Sequence, residues 1–186
     1  MNVVSAQNEE SRSIEIYASY DDYRDGKGIT YDDWTGWKGY NNAKLKVELD
    51  NKKMKMKCNE FWGFTFKERL FRITESGRFV MLENEGKLCA YVNGPANARM
   101  LVFNQDFSSF RATSTYLYLS NDLDSPIASV DNNVAGVTMI GNYDGYYSLK
   151  NEHPELHEFF ACLETRVEPA MLTVTRMNCV SEHLTD

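Results

Sequence analysis

Between Ala43 and Val92 apolar and polar residues alternate, and this pattern constrains the fold more than any other feature of the chain. Leu45, Val47 and Leu49 alternate with Lys44, Lys46, Glu48 and Asp50. Beyond the turn-like Asp50-Asn51-Lys52, Met54, Met56 and Cys58 alternate with Lys53, Lys55 and Lys57. Successive side chains of a strand point to opposite faces, so this spacing gives each strand one dry face and one wet face. It predicts strands over 43–50 and 53–58. The fold class that follows is mainly β: an antiparallel meander curled into a barrel or sandwich.

The meander continues through Phe61-Trp62-Gly63-Phe64-Thr65-Phe66 and Arg69-Leu70-Phe71-Arg72-Ile73. The Lys67-Glu68 between them reads as a hairpin loop without the Gly or Asn that tight primed turns prefer. Gly63 predicts a bulge or a close backbone approach. Arg78–Glu83 and Lys87–Val92 form the next pair, with further strands expected at Ala98–Phe103 and Thr115–Leu119. Ser13–Ala18 reads as a first strand, Tyr20–Gly26 as a helical turn or loop, and 27–42 as a long ordered loop with a short strand near Ile29–Trp34. In the second half, a turn at 141–145 leads into Tyr146–Leu149. One helix stands out at 154–164, with Pro154 at its start and Leu156, Phe159, Phe160 and Leu163 in an i, i+3, i+4, i+7 stripe. Ala170–Arg176 reads as a closing strand. The expected organisation is a disordered N-terminus over 1–13, a single β-rich domain over 14–177 and a C-terminal tail over 178–186.

The 186 residues carry a net charge of −7, a sign that disfavours nucleic acid and anionic membrane as general partners. No apolar run approaches the roughly 20 residues of a membrane-spanning helix, so no transmembrane segment is expected. Val4-Ser5-Ala6 before Gln7 resembles the small-residue end of a secretory cleavage site, which points to export to the periplasm or the exterior. Of the four cysteines, Cys58 shares a phase with Met54 and Met56 and is expected as a buried free thiol. Cys179, in a polar stretch, is the best candidate for a disulfide; Cys89 and Cys162 stay open.

The segments Phe61-Trp62-Gly63-Phe64, Leu70-Phe71-Arg72-Ile73 and Gly86-Lys87-Leu88-Cys89-Ala90-Tyr91 together resemble a group of uncharacterised exported bacterial proteins. The resemblance covers residues 61–91. It implies export and a β-rich fold, and it brings no activity or catalytic residue with it.

Sites of known chemistry are sparse. His153 and His157 have zinc-like i, i+4 spacing, but Pro154 starts the helix after His153 and no H-E-x-x-H occurs, so no metal site is expected. Asp21, Asp25, Gly26 and Asp32 fit part of a calcium-loop frame that fails at Tyr23 and at the missing final Glu. Phosphate-cradling and nucleophile-elbow motifs are absent, and no cofactor is expected.

The most promising surface is the aromatic and acidic segment 17–40, with Tyr31, Asp32, Asp33, Trp34, Trp37 and Tyr40 as candidate ligand-binding residues. The alternative for Trp34 and Trp37 is that they plug an end of the sheet. Lys44, Lys46, Lys53, Lys55 and Lys57 read as the wet side of a hairpin, with an anion-binding patch as the other possibility. The functional expectation is an exported, non-enzymatic module that binds a protein or glycan partner through segment 17–40. The alternatives are a β-barrel carrier of a small apolar ligand lined by Phe61, Phe64, Phe66 and Phe71, and a small glycosidase-like hydrolase using Asp32 and Asp33.

Overall fold

The computed structural model describes residues 12–39, 42–93, 116–130, 133–134, 137–138, 143–165 and 172–185. The cleavage-like Val4-Ser5-Ala6, the candidate Tyr40 and the strand expected at 98–103 lie outside these.

The alternation of the hairpins becomes two antiparallel sheets. The larger is built from β1 (Ile14–Tyr17), β2 (Ile29–Tyr31), β6 (Gly63–Phe66), β7 (Arg69–Ile73), β8 (Phe79–Glu85), β9 (Cys89–Asn93), β10 (Tyr116–Ser120) and β11 (Ala128–Ser129). Its eight strands run in the order β11-β10-β9-β8-β7-β6-β1-β2. The smaller consists of β3 (Asp33–Lys38), β4 (Lys44–Leu49) and β5 (Lys52–Lys57), in that order. A separate two-stranded pair joins β12 (Asn133–Val134) and β13 (Val137–Thr138). The large sheet ends in two short edges, β2 and β11, so the meander is sandwich-like and not a closed barrel.

One face of the large sheet looks inward. Ile14, Ile16, Phe64, Phe66, Phe71, Phe79, Met81, Ala90, Val92, Leu117 and Leu119 belong to a single buried cluster. Trp34, Leu45 and Val47 of the small sheet cover one half of it, and three helices cover the other. These are α2 (Tyr143–Glu152), α3 (His157–Glu164, after a 3-10 turn at Pro154–Leu156) and α4 (Leu172–His183). The stripe Leu156, Phe159, Phe160 and Leu163 is buried as its spacing predicts. Two helices correct the sequence reading. Tyr146–Leu149 lies within α2, where Tyr146 and Leu149, three apart, are both buried. The closing strand and the polar tail are both replaced by α4. The β-branched run Thr173-Val174-Thr175 favours a strand locally, but the helical spacing of Met177, Val180 and Leu184 places all three against the core. Cys179 is therefore buried in that helix and bonded to Cys162 of α3, across a separation of 17 residues.

The described residues 27–39 are mostly strand, where a long ordered loop with one short strand was expected. β3 occupies 33–38 and pairs with β4 through a bulge between Trp34 and Gly36. Gly36 has φ +138°, a backbone conformation side chains rarely adopt, which is why glycine stands at the bulge. The bulged strand also satisfies its own tryptophan: Trp34 Nε1 donates to the Gly36 carbonyl at 3.0 Å. Arg12 is held to the same strand, accepting at its carbonyl from Trp34 N and donating from its side chain to Trp34 O at 2.8 Å.

Two hairpin loops have both residues at positive φ, the type I′ geometry. Asp50 (51°) and Asn51 (61°) suit it; Lys67 (49°) and Glu68 (63°) do not. The Lys67-Glu68 loop is strained, since a non-glycine residue in this region costs about 1–2 kcal/mol. Replacing Glu68 by glycine is expected to stabilise the protein by about 1 kcal/mol. Urea denaturation would read this as a higher midpoint at unchanged slope; a lower midpoint would mean that the loop is not strained.

Candidate functional site

The candidate residues of segment 17–40 do not gather into one open surface. Trp34 is 0% exposed and Tyr31 is buried. Trp34 packs against Phe66 at 4.8 Å, Phe64 at 5.3 Å and Trp37 at 5.6 Å between ring centres. Trp37 is partly buried against the same core. Asp32 accepts from the Asp50 N–H at 2.9 Å, and Asp33 pairs with Arg12 at 3.3 Å. Both carboxylates thus hold the small sheet in place, and Trp34 and Tyr31 act as plugs. Tyr40 lies outside the described residues. The four phenylalanines expected to line a carrier lumen fill the space themselves: Phe61, Phe64, Phe66 and Phe71 are buried, with Phe64 and Phe71 stacked at 4.8 Å.

The outer face of the large sheet is where unusual chemistry collects. Strands alternate, so the partners of the inward phenylalanines point away from the core. Register aligns Gly63 with both Tyr17 and Arg72, and Tyr91 with Leu82 and Tyr118. A Cβ on Gly63 would lie 2.6 Å from the Phe71 carbonyl oxygen, so only glycine fits there. Leu70, Val80, Cys89, Tyr91, Tyr118, Leu123 and Ile127 form a second, smaller buried cluster on this face, with Tyr20, Tyr23 and Trp62 packed on it.

Two of those rings come from α1 (Tyr20–Arg24). The helix is short, but Ser19 and Asp22 form a capping box at its start, and Asp21 and Asp22 face its positive end. It delivers Tyr20 and Tyr23 onto Trp62, with ring centres at 5.5 and 5.2 Å. Beneath this half-buried aromatic group lies Arg72, whose guanidinium carbon sits 4.3 Å from the centre of the Trp62 ring. That is cation–π range.

Arg72 is 5% exposed, a rare degree of burial for an arginine. Its Nε and Nη1, and Trp62 Nε1, are buried without a hydrogen-bond acceptor among the described residues. Buried donors ordinarily have partners, so these three distinguish Arg72 and Trp62 from the rest of the face. Beside them, Tyr91 OH donates to Ser120 Oγ at 2.9 Å, and Ser120 Oγ donates to the Asp122 carbonyl at 2.6 Å. Burial pushes the Tyr91 phenol up to about 12, with the Ser120 and Arg72 contacts pulling the other way. Burial likewise lifts the Cys89 thiol to about 11. The Asp122 carboxyl is held below its ordinary value, first by the Ser125 hydroxyl, then by the N–H groups of Ser125 and Asp124 and by the Arg72 charge. Ser120 is thus committed to a backbone carbonyl and Cys89 is protonated at neutral pH, so neither is set up as a nucleophile.

His153 and His157 do not form a paired site. Both His153 nitrogens are engaged, Nδ1 with Glu155 Oε1 at 2.9 Å and Nε2 with Asn121 Oδ1 at 2.7 Å, while His157 is exposed at the start of α3. Among the described residues no three His, Cys, Asp or Glu side chains gather in a metal-binding group. No helix among the described residues is long and apolar enough to cross a membrane.

Sequence reasoning missed Arg72, Tyr91 and Ser120 because alternation assigns the phase opposite Phe71 to solvent. The available signal was apolar residues in that supposedly wet phase: Trp62, and with it Leu70, Val80 and Tyr118. Comparison with family models, curated proteins and solved structures returns no match to this chain.

Proposed function

We propose that this chain is a non-catalytic binding module, exported to the periplasm or the exterior, that recognises a protein or glycan partner on the outer face of its large sheet. The reading keeps the aromatic and acidic character expected of segment 17–40 and moves the contact to Tyr20, Tyr23 and Trp62, with Arg72 beneath. The observation that carries it is the set of buried, acceptor-less donors on Arg72 and Trp62 under half-buried rings. Aromatic rings offer area to a sugar face or an apolar side chain, and an arginine fork suits a carboxylate or carbonyl.

A glycan array and a peptide array would test the reading, with Trp62→Ala and Tyr20→Ser as variants. Binding is expected to fall at least about tenfold in Trp62→Ala, as for an aromatic anchor at the centre of an interface. Unchanged binding in both variants would clear this face of a role.

Export is supported by the Cys162–Cys179 disulfide, since such bonds persist in oxidising compartments. Cys58 and Cys89 are free and buried, and burial holds the Cys58 thiol up at about 12. Protein purified without reductant is therefore expected to take up two alkyl groups when denatured, and four after reduction, as read by intact mass. Four labels without reduction would remove the support for export.

A further inference from the structure

We infer that the lysine-faced side of the small sheet is a docking strip for a linear acidic polysaccharide, separate from the aromatic face. Register places Lys38, Lys44 and Lys57 in one row across β3, β4 and β5. Lys46 and Lys55 form the next row, where their partner on β3 is Gly36, which has no side chain. Lys53 follows, opposite Glu48. Directly opposed residues on one face are about 4.5–5.5 Å apart, and like charges there are destabilising. The Lys44–Lys57 and Lys46–Lys55 pairings therefore work against the fold. Lys57 pairs with Glu60 at 3.3 Å; Lys38, Lys44, Lys46, Lys53 and Lys55 have no ion pair among the described residues.

Edge protection does not account for the arrangement. Lysines on an exposed edge strand discourage pairing with other chains, and β5 is such an edge. β4, however, is the central strand of the three, so Lys44 and Lys46 guard nothing. Six lysines share this face with only Glu48 and Asp33, both in its last row, an excess of positive charge opposed to the net −7 of the chain.

The shape of that field selects the occupant. A broad planar acidic membrane would also meet the field of a chain whose net charge is −7, whereas a thin polyanion engages only the strip, beyond which charges are screened within about 8–10 Å. Nucleic acid is favoured by arginine forks and stacking rings, and this face offers neither. Lysine point charges repeated in adjacent rows suit a chain of carboxylate or sulfate groups.

Polygalacturonate and heparin, as carboxylate and sulfate probes, would be titrated into the full chain by calorimetry at low salt. Binding is expected, with affinity falling steeply as salt rises. The Lys46→Gln/Lys55→Gln double variant is expected to lose about tenfold or more in affinity, and the slope of log K against log salt to fall by roughly two. Its thermal midpoint is expected to stay or rise, because the removed charges repelled one another. Trp62→Ala is expected to bind both probes as the parent does, which keeps this strip distinguishable from the aromatic face. The proposal is overturned if the parent binds neither probe, if the double variant binds them equally well, or if duplex DNA or phosphatidylserine vesicles bind more tightly than both.

Discussion

Trp34→Ala is expected to destabilise the protein by about 3–5 kcal/mol, the range for emptying a large aromatic site in a packed core. The indole is 0% exposed and touches both sheets. Its ring neighbours include Phe64, Phe66, Phe71 and Phe79 of the large sheet and Trp37 of its own strand. Truncation would leave those rings facing a void that two hydrogen-bonded sheets cannot readily collapse to fill. Against a typical total of about 5–15 kcal/mol, the loss would shift the urea midpoint severely or prevent folding. Trp34→Phe separates the ring from its N–H. It keeps most of the packing and leaves the Gly36 carbonyl without a buried donor, a loss of about 1–3 kcal/mol. An alanine variant within about 1 kcal/mol of the parent would show that the two sheets are not joined through this residue.

Removing the disulfide is the second large effect. Cys162 and Cys179 close a loop of 17 residues in sequence, for which chain-entropy reasoning gives about 3 kcal/mol. Both are packed where the helices meet the inner face, Cys179 fully buried. A Cys162→Ala/Cys179→Ala double variant avoids leaving an unpaired thiol and is expected to lose about that amount, measured by denaturant unfolding of both proteins without reductant. The parent treated with reductant should move the same way. If neither treatment shifts the midpoint, the bond does not restrain the unfolded chain.

Much of this fold was legible where a single local rule governed. Leu45 and Val47 are buried as their spacing predicts, and Asp50-Asn51 turns where turn chemistry places it. Further along the same hairpin the rule weakens: Met54 is 37% exposed, because it sits on an edge strand where the cover runs out. Trp34 and Trp37 show a different failure. Three residues apart, they should point to opposite faces, and the segment accordingly looks aperiodic. The bulge between them inserts one residue, so that Trp34 opposes Val47 and Trp37 opposes Leu45 on the same inward side. Arg72 was hidden for a third reason. Its strand position says outward, which is correct, but outward does not mean wet when α1 and residues 123–127 lie over that face. Covers contributed from fifty residues away in either direction are not identified by a local period, which shows them only as apolar residues in both phases, such as Val80 beside Met81. The same holds for α4, whose β-branched middle is outweighed by contacts made only after the chain has folded back.

Because the central strands are covered on both sides, their pairing is specified twice over. A one-residue slip anywhere along β7 would turn the Arg72 guanidinium into the cluster of phenylalanines and push Phe71 under the tyrosines. Each misalignment is therefore penalised by two unlike environments at once, one that rejects charge and one shaped around it. A meander with a single greasy side tolerates some ambiguity of alignment. This one does not, and the buried arginine stacked on Trp62 also works as a registration pin.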